Sequence, residues 1–300
     1  MPATGSRRGA VRDGGVVVSV KAFPFSQVDV FAEAPGIGNP VAVVHDADEL
    51  TTQQMQAFAN WTNLSETTFL LRPTIDEADY RLRIFTPHSE LPFAGHPTLG
   101  SAHAWLQNLS ETPDRSGIVQ ECGAGLVEIR RTRDGELAFA APELRRSGPV
   151  DAPVLDQAIT SLGVDRARVL GANWIVNGPQ WLGVRLDSAD TVLSLRPDFA
   201  AMGQLEVAVI GAYPPGGPVD FEVRAFAPGD GVPEDPVTGS ANAGLAQWLI
   251  GEGLVPAAGY RAQQGTVLGR RGRIGISSDD AGVVWVSGSA RTVIDGHVRP

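Results

Sequence analysis

Two stretches of this chain place an ionisable side chain at a predicted helix start, and they lie 139 residues apart. His96-Pro-Thr-Leu-Gly-Ser-Ala-His-Ala104 runs against Asp235-Pro-Val-Thr-Gly-Ser-Ala-Asn-Ala243, identical at five of nine positions. Upstream, Tyr80-Arg-Leu-Arg-Ile-Phe-Thr-Pro87 runs against Phe221-Glu-Val-Arg-Ala-Phe-Ala-Pro228 at a shift of 141. There Arg83, Phe85, Pro87 and Pro92 recur as Arg224, Phe226, Pro228 and Pro233. A weaker echo sets Gly38-Asn39-Pro40 against Asn177-Gly178-Pro179. An imidazole and a carboxylate in equivalent places of a duplicated unit can hold and move a proton. The first turn of a helix leaves about four N–H groups unpaired and carries about half a positive charge. Two such termini facing each other form a cradle for a carboxylate or an enolate. Gly95 and Gly239, lacking Cβ, allow close backbone approach to a ligand. For one loop alone a capped helix start is the better explanation; the duplication favours a site built where the two copies meet.

Around these residues the pattern predicts strands and helices in a repeated order. Alternation gives strands over 27–31, 41–44, 67–71 and 80–85, with a turn over 34–40. A helix is predicted over 51–60, where Thr51 or Thr52 can cap and Met55, Phe58 and Ala59 share a face. Another runs over 97–109, with Pro97 suited to its first turn. Residues 118–131 read as one strand, bulged near Cys122, that forms a hairpin with 136–140 around Asp134-Gly135. The second half predicts helices over 156–162, 197–202 and 239–250 and strands over 168–176, 180–186, 206–210 and 219–226. The stretch 147–153 reads as a linker or a loop. The expected domains are a flexible leader over 1–22, an N-terminal repeat over 23–116 completed by about 288–300, and a C-terminal repeat over 117–287.

Composition narrows the chemistry. Three hundred residues, 43% hydrophobic and 19% charged, suit a globular protein of two domains. No apolar run reaches the length of a membrane span. A formal net charge of −10 argues against a nucleic-acid surface, which needs clustered cations. Lys21 is the sole lysine and lies in the leader, which disfavours Schiff-base and P-loop mechanisms. Cys122 is the sole cysteine, so no internal disulfide or cysteine-based zinc site can form. The histidines share no ligand spacing, and Gly36-Ile-Gly38 does not complete a dinucleotide fingerprint. A cytoplasmic protein without metal or cofactor is expected.

Read in order, Gly38-Asn-Pro-Val-Ala-Val-Val44, Asn63-Leu-Ser-Glu-Thr-Thr-Phe69, Phe85-Thr-Pro87, Glu90-Leu-Pro-Phe-Ala-Gly-His-Pro-Thr98 and Glu234-Asp-Pro-Val-Thr-Gly-Ser-Ala241 resemble the PhzF family. This is the phenazine-biosynthesis isomerase type, and the likeness runs from about Phe25 to the C terminus. The resemblance implies an α+β fold like that of diaminopimelate epimerase. Two pseudo-symmetric domains each wrap a curved sheet or barrel around a central helix, with the active site between them. It implies that Glu66 is the proton-transferring residue, a general base and acid, and that His96, Asp235 and Ser240 bind the substrate and help position its proton. On the residues alone, Glu66 reads as an ordinary strand-end glutamate.

The function so implied is a cofactor-independent isomerase that moves a proton between carbons of a small, carboxylate-bearing substrate, in an enzyme that forms a homodimer. Epimerase relatives of this fold use a cysteine at each helix start; here those positions hold His96 and Asp235. Two-thiol chemistry is therefore closed to this chain, while epimerisation by other acid–base residues stays open. A non-catalytic protein that binds small acids is the second alternative. Glu66 is expected to lack an acidic counterpart in the repeat.

Overall fold

Local signals set most element boundaries in the computed structural model, which describes residues 21–109 and 117–300. The expected leader lies outside the described residues except for Lys21 and Ala22. In the first half β1 (Phe23–Val30) and β2 (Asn39–Val44) precede α1 (Thr52–Thr62). Then come β3 (Glu66–Leu71), β4 (Tyr80–Phe85), β5 (Glu90–Leu91), α2 (Gly95–Gln107), β6 (Gly117–Cys122), β7 (Gly125–Arg131) and β8 (Leu137–Ala140). β9 (Arg146–Gly148) ends the first half, and the second opens with α3 (Ala152–Leu162), β10 (Val169–Val176) and β11 (Trp181–Leu186). It continues through α4 (Ala189–Ser194), α5 (Phe199–Met202), β12 (Glu206–Ala212), β13 (Phe221–Ala227), β14 (Val232–Asp235) and α6 (Gly239–Gly251). β15 (Tyr260–Gln264), β16 (Gly272–Ser278), β17 (Val284–Gly288) and β18 (Ala290–Val298) complete the chain. Thr51 caps α1 in a reciprocal capping box with Gln54, a device worth about 1 kcal/mol.

The duplication is plain in the hydrogen bonding. β2 pairs in parallel with β3, and β11 with β12; β4 pairs in parallel with β6, and β13 with β15. β18 returns to lie against β1 of the first half, while β9 leaves the first half to lie against β10. β8 and β17 pair with each other and join the two halves into one 18-stranded ladder. Each half curls around its own helix: α2 contacts β1, β2, β3, β4 and β8, and α6 contacts β10, β11, β12, β16 and β17. Both helices are buried along most of their first two turns, so neither shows a polar face there. One apolar core runs through both halves, from Val28 and Leu99 across Phe139 to Leu245 and Val286.

Two expectations give way to the structure. Residues 118–131 are not one bulged strand: the chain folds back between Cys122 and Gly125, so β6 and β7 pair with each other. Gly123 and Gly125 mark that turn, since paired glycines signal a reversal as readily as a bulge. The stretch 147–153 is no linker, because Arg146–Gly148 bonds to β10 and α3 already begins at Ala152, with Pro153 in its first turn. The short helix α4, capped by Ser188 on the Thr191 amide, was too brief to give a period. β6, which begins at Gly117, pairs with β4, and through β7 and β8 the ladder continues to β17.

Candidate active site

The parallel pairing of β2 with β3 brings the starts of both strands to one end, where α2 also begins. Glu66 is the first residue of β3, beside Val41, and His96 is the second residue of α2. Their side chains meet: Glu66 Oε2 lies 3.2 Å from His96 Nε2, with side-chain exposures of 15% and 5%. The two atoms face each other without hydrogen-bond alignment, and neither has another partner among the described residues. A substrate atom lying beside the pair would find one donor and one acceptor.

Asp235, at the end of β14, reaches the same place from the second half. Asn39 bridges the halves, its Nδ2 donating to Asp235 Oδ1 at 2.9 Å and to the Val237 carbonyl at 3.0 Å. The same Nδ2 lies 3.4 Å from His96 Nδ1. An amide nitrogen has two hydrogens, so the two shorter bonds use them both. We therefore place the ring proton of His96 on Nδ1, against the Pro40 backbone that favours a protonated ring, which leaves Nε2 as an acceptor facing Glu66. Asp235 Oδ2 accepts from Thr238 Oγ1 at 2.6 Å. Gln264 locks that corner, donating to the Asp235 carbonyl at 2.9 Å and to Thr238 Oγ1 at 3.0 Å, and accepting from Asn242 at 2.8 Å.

Gly95 and Gly239, expected to let a ligand approach the backbone, lie against each other. A Cβ on Gly239 would stand 3.1 Å from Gly95 Cα, and one on Gly95 would stand 2.6 Å from Phe139 Cζ. The missing side chains let the two helix starts meet over a buried phenylalanine. Neither N-cap residue, Ala94 or Thr238, caps its helix with a side chain; the Thr238 hydroxyl is taken by Asp235 instead. Ser240 sits in the first turn of α6, with its hydroxyl accepting from Trp181 Nε1 at 3.0 Å and its carbonyl from Asn177 at 2.9 Å. Among the described residues no hydrogen bond joins it to Glu66, His96 or Asp235.

Burial dominates the electrostatics. It lifts Glu66 to about 8, helped by the charge of Asp235. It lowers His96 to about 3, against the opposing Pro40 backbone. Asp235 is lifted to about 6 by burial, while hydrogen bonds from Thr238 and Asn39 and the charge of Arg270 pull it back. At neutral pH the site thus holds a protonated Glu66, a neutral His96 and a largely ionised Asp235. Among the described residues no group of three or more His, Cys, Asp or Glu side chains is placed to hold a metal ion, and no helix is long and apolar enough to cross a membrane.

Glu66 has a counterpart after all. Glu206 opens β12 beside Trp181 as Glu66 opens β3 beside Val41. The flanking residues, Gln204-Leu205 against Leu64-Ser65, share nothing, so only the register of the parallel ladder reveals the match. Residue reading also passed over Asn39, Thr238, Gln264 and Arg270 as site residues. Asn39 carried a signal in the weak echo of Gly38-Asn39-Pro40; the others carried none, because polar side chains gain meaning there only from what the fold sets beside them.

A family model described as phenazine biosynthesis-like protein (PhzC-PhzF) matches residues 28–296. The chain is 40% identical over 293 residues to antisense-enhancing sequence 1 of Schizosaccharomyces pombe, covering 91% of this chain and 97% of that protein. It is 35% identical over 290 residues to the trans-2,3-dihydro-3-hydroxyanthranilate isomerase of Pseudomonas aeruginosa, covering 90% and 97%. Among solved structures, a PhzF-family phenazine biosynthesis protein of Enterococcus faecalis superposes with a TM-score of 0.77 at 28% identity, over 93% of this chain and 99% of that one. The fold is of the diaminopimelate-epimerase-like type.

Proposed function

The chain belongs to the phenazine biosynthesis-like family and is an isomerase by class; from that premise we propose that Glu66 moves a proton between two carbons of a small, conjugated carboxylate. The observation that carries the proposal is the Glu66 carboxyl itself: buried, 3.2 Å from His96 Nε2, and shifted toward neutral pH. A carboxylate of raised pKa is a stronger base than one in water and still gives the proton back readily. In the first step ionised Glu66 takes a proton from a substrate carbon, and the C–H electron pair spreads into the conjugated system. In the second the Glu66 O–H delivers that proton to a different carbon, restoring the carboxylate. His96, as an acceptor at Nε2, orients the carboxyl between the two positions. The first-turn N–H groups of α2 and α6 face charge developing on the substrate. Every proton is carried by a side chain of this chain.

The test uses trans-2,3-dihydro-3-hydroxyanthranilate, the substrate named for the Pseudomonas aeruginosa relative, as first probe, with turnover and solvent-deuterium incorporation as readouts. Glu66→Gln is expected to lower both by about 10²–10⁴-fold while leaving the fold intact. Full turnover by that variant would sink the assignment of the base. One observation favours a second reading: Asp235 and Glu66 are carboxyls from opposite halves, each shifted toward neutrality in one site. Such a pair would serve epimerisation at a single carbon, which deuterium incorporation with inversion at that carbon would reveal. The proposal extends to a cytoplasmic homodimer, expected in light scattering at the mass of two chains.

A further inference from the structure

The loop after β15 touches both halves of the site through its backbone. A Cβ on Gly265 would lie 2.6 Å from the Pro236 carbonyl, so the loop packs directly on the turn that follows Asp235. Arg270 closes the loop, its amide donating to the Gly265 carbonyl at 3.0 Å, and its own carbonyl accepts from the Gly38 amide at 3.0 Å. The backbone of Arg270 is thereby pinned between the turn carrying Asn39 and the turn carrying Asp235.

Its side chain is not satisfied. Arg270 is half-buried, its Nε is shielded from solvent, and among the described residues the guanidinium makes no hydrogen bond or ion pair. Arg224, also near the site, shows the contrast: it bonds both carboxylate oxygens of Glu234 and the carbonyls of Val192 and Leu195. A buried donor without an acceptor costs about 1–3 kcal/mol, more when charged. Asp235 is close enough to feel the Arg270 charge, yet its oxygens already accept from Asn39 and Thr238. An anionic substrate entering beside ionised Asp235 would be repelled in a desolvated cleft unless a cation met it. The guanidinium fork matches a carboxylate in shape and charge.

We infer that Arg270 recognises the carboxylate of the substrate bound in the Glu66–His96–Asp235 cleft and so sets its preference for acids. The inference rests on the reading of that cleft as the reaction site, and it is tested by binding, which does not depend on which residue moves the proton. The full chain is titrated with 2-aminobenzoate and with its uncharged counterpart, 2-aminobenzamide. The wild type is expected to favour the acid by about tenfold or more, and Arg270→Gln to lose about 10–100-fold in affinity for the acid with the amide little changed. Arg270→Lys, which keeps the charge without the fork, is expected in between and serves if Arg270→Gln does not fold. Glu66→Gln is expected to keep the preference for the acid, whatever its effect on deuterium exchange. Three results would overturn the inference: no preference for the acid in the wild type, unchanged acid affinity in both Arg270 variants, or equal loss for acid and amide.

Discussion

Glu66 holds its proton at neutral pH because burial strips water from its carboxylate and Asp235 adds like charge. Only the ionised form can take a proton from carbon, and that form is about a tenth of the total one unit below the pKa. The rate at low substrate is therefore expected to rise with pH and level off above about 8, with that limb missing from any residual activity of Glu66→Gln. A pH–rate profile flat from 6 to 9 would contradict it. The same shift acts on stability. The carboxyl titrates near 4.5 when unfolded and about 8 when folded, so folding raises its pKa. Its favourable contribution is complete below the unfolded value and is lost as pH rises through the folded one. Removing it with Glu66→Gln should make the melting temperature of the variant gain on the wild type between those two values. The gain is at most a few kcal/mol, and a difference that does not change with pH in thermal melts would argue against a buried, neutral Glu66.

The meeting of α2 and α6 depends on two missing side chains and one ring. Phe139 is fully buried beneath both helix starts, and a methyl on Gly95 would overlap it at 2.6 Å, against 3.3 Å from Gly239. Gly95→Ala is therefore expected to be the worse of the two, destabilising by about 1–3 kcal/mol in urea titrations. It should also push the helix starts apart and lower turnover. Trimming the ring in the Gly95→Ala, Phe139→Leu pair should recover part of the stability; if the pair is no better than the single variant, the ring is not the obstacle. These elements also explain why Gly95 and Gly239 were legible while their use was not. Each stands beside a predicted helix start, but that each faces the other is a contact over 144 residues, outside the reach of any local pattern.

Across the whole molecule the two halves exchange strands: β9 serves the second and β18 the first. β8 is bonded to β17 and the main core passes through both halves, while a smaller apolar cluster lies within each. A single cooperative unfolding transition is expected, with calorimetric and van't Hoff enthalpies in agreement. Two resolved transitions would show instead that the halves unfold separately. The exchange is a long-range pairing of β9 with β10 and of β18 with β1, which no local pattern marks.

By itself the sequence determined the duplication, the two helix starts, and His96 and Asp235 as residues near them. A strand, a turn and a capped helix are local units, and their periodicity, glycines and prolines are written in neighbouring residues. The motifs also carried the family. Tertiary structure alone decided the chemistry of the site. A parallel ladder sets Glu66 against His96, and burial raises the pKa of the carboxyl and keeps the imidazole uncharged. Asn39 becomes the bridge because the fold brings it to Asp235, 196 residues away. Glu206 emerges as the counterpart of Glu66 because strand register preserves a place that the flanking sequence no longer marks. Burial and long-range contact belong to no single segment, so they appear only when the ladder closes.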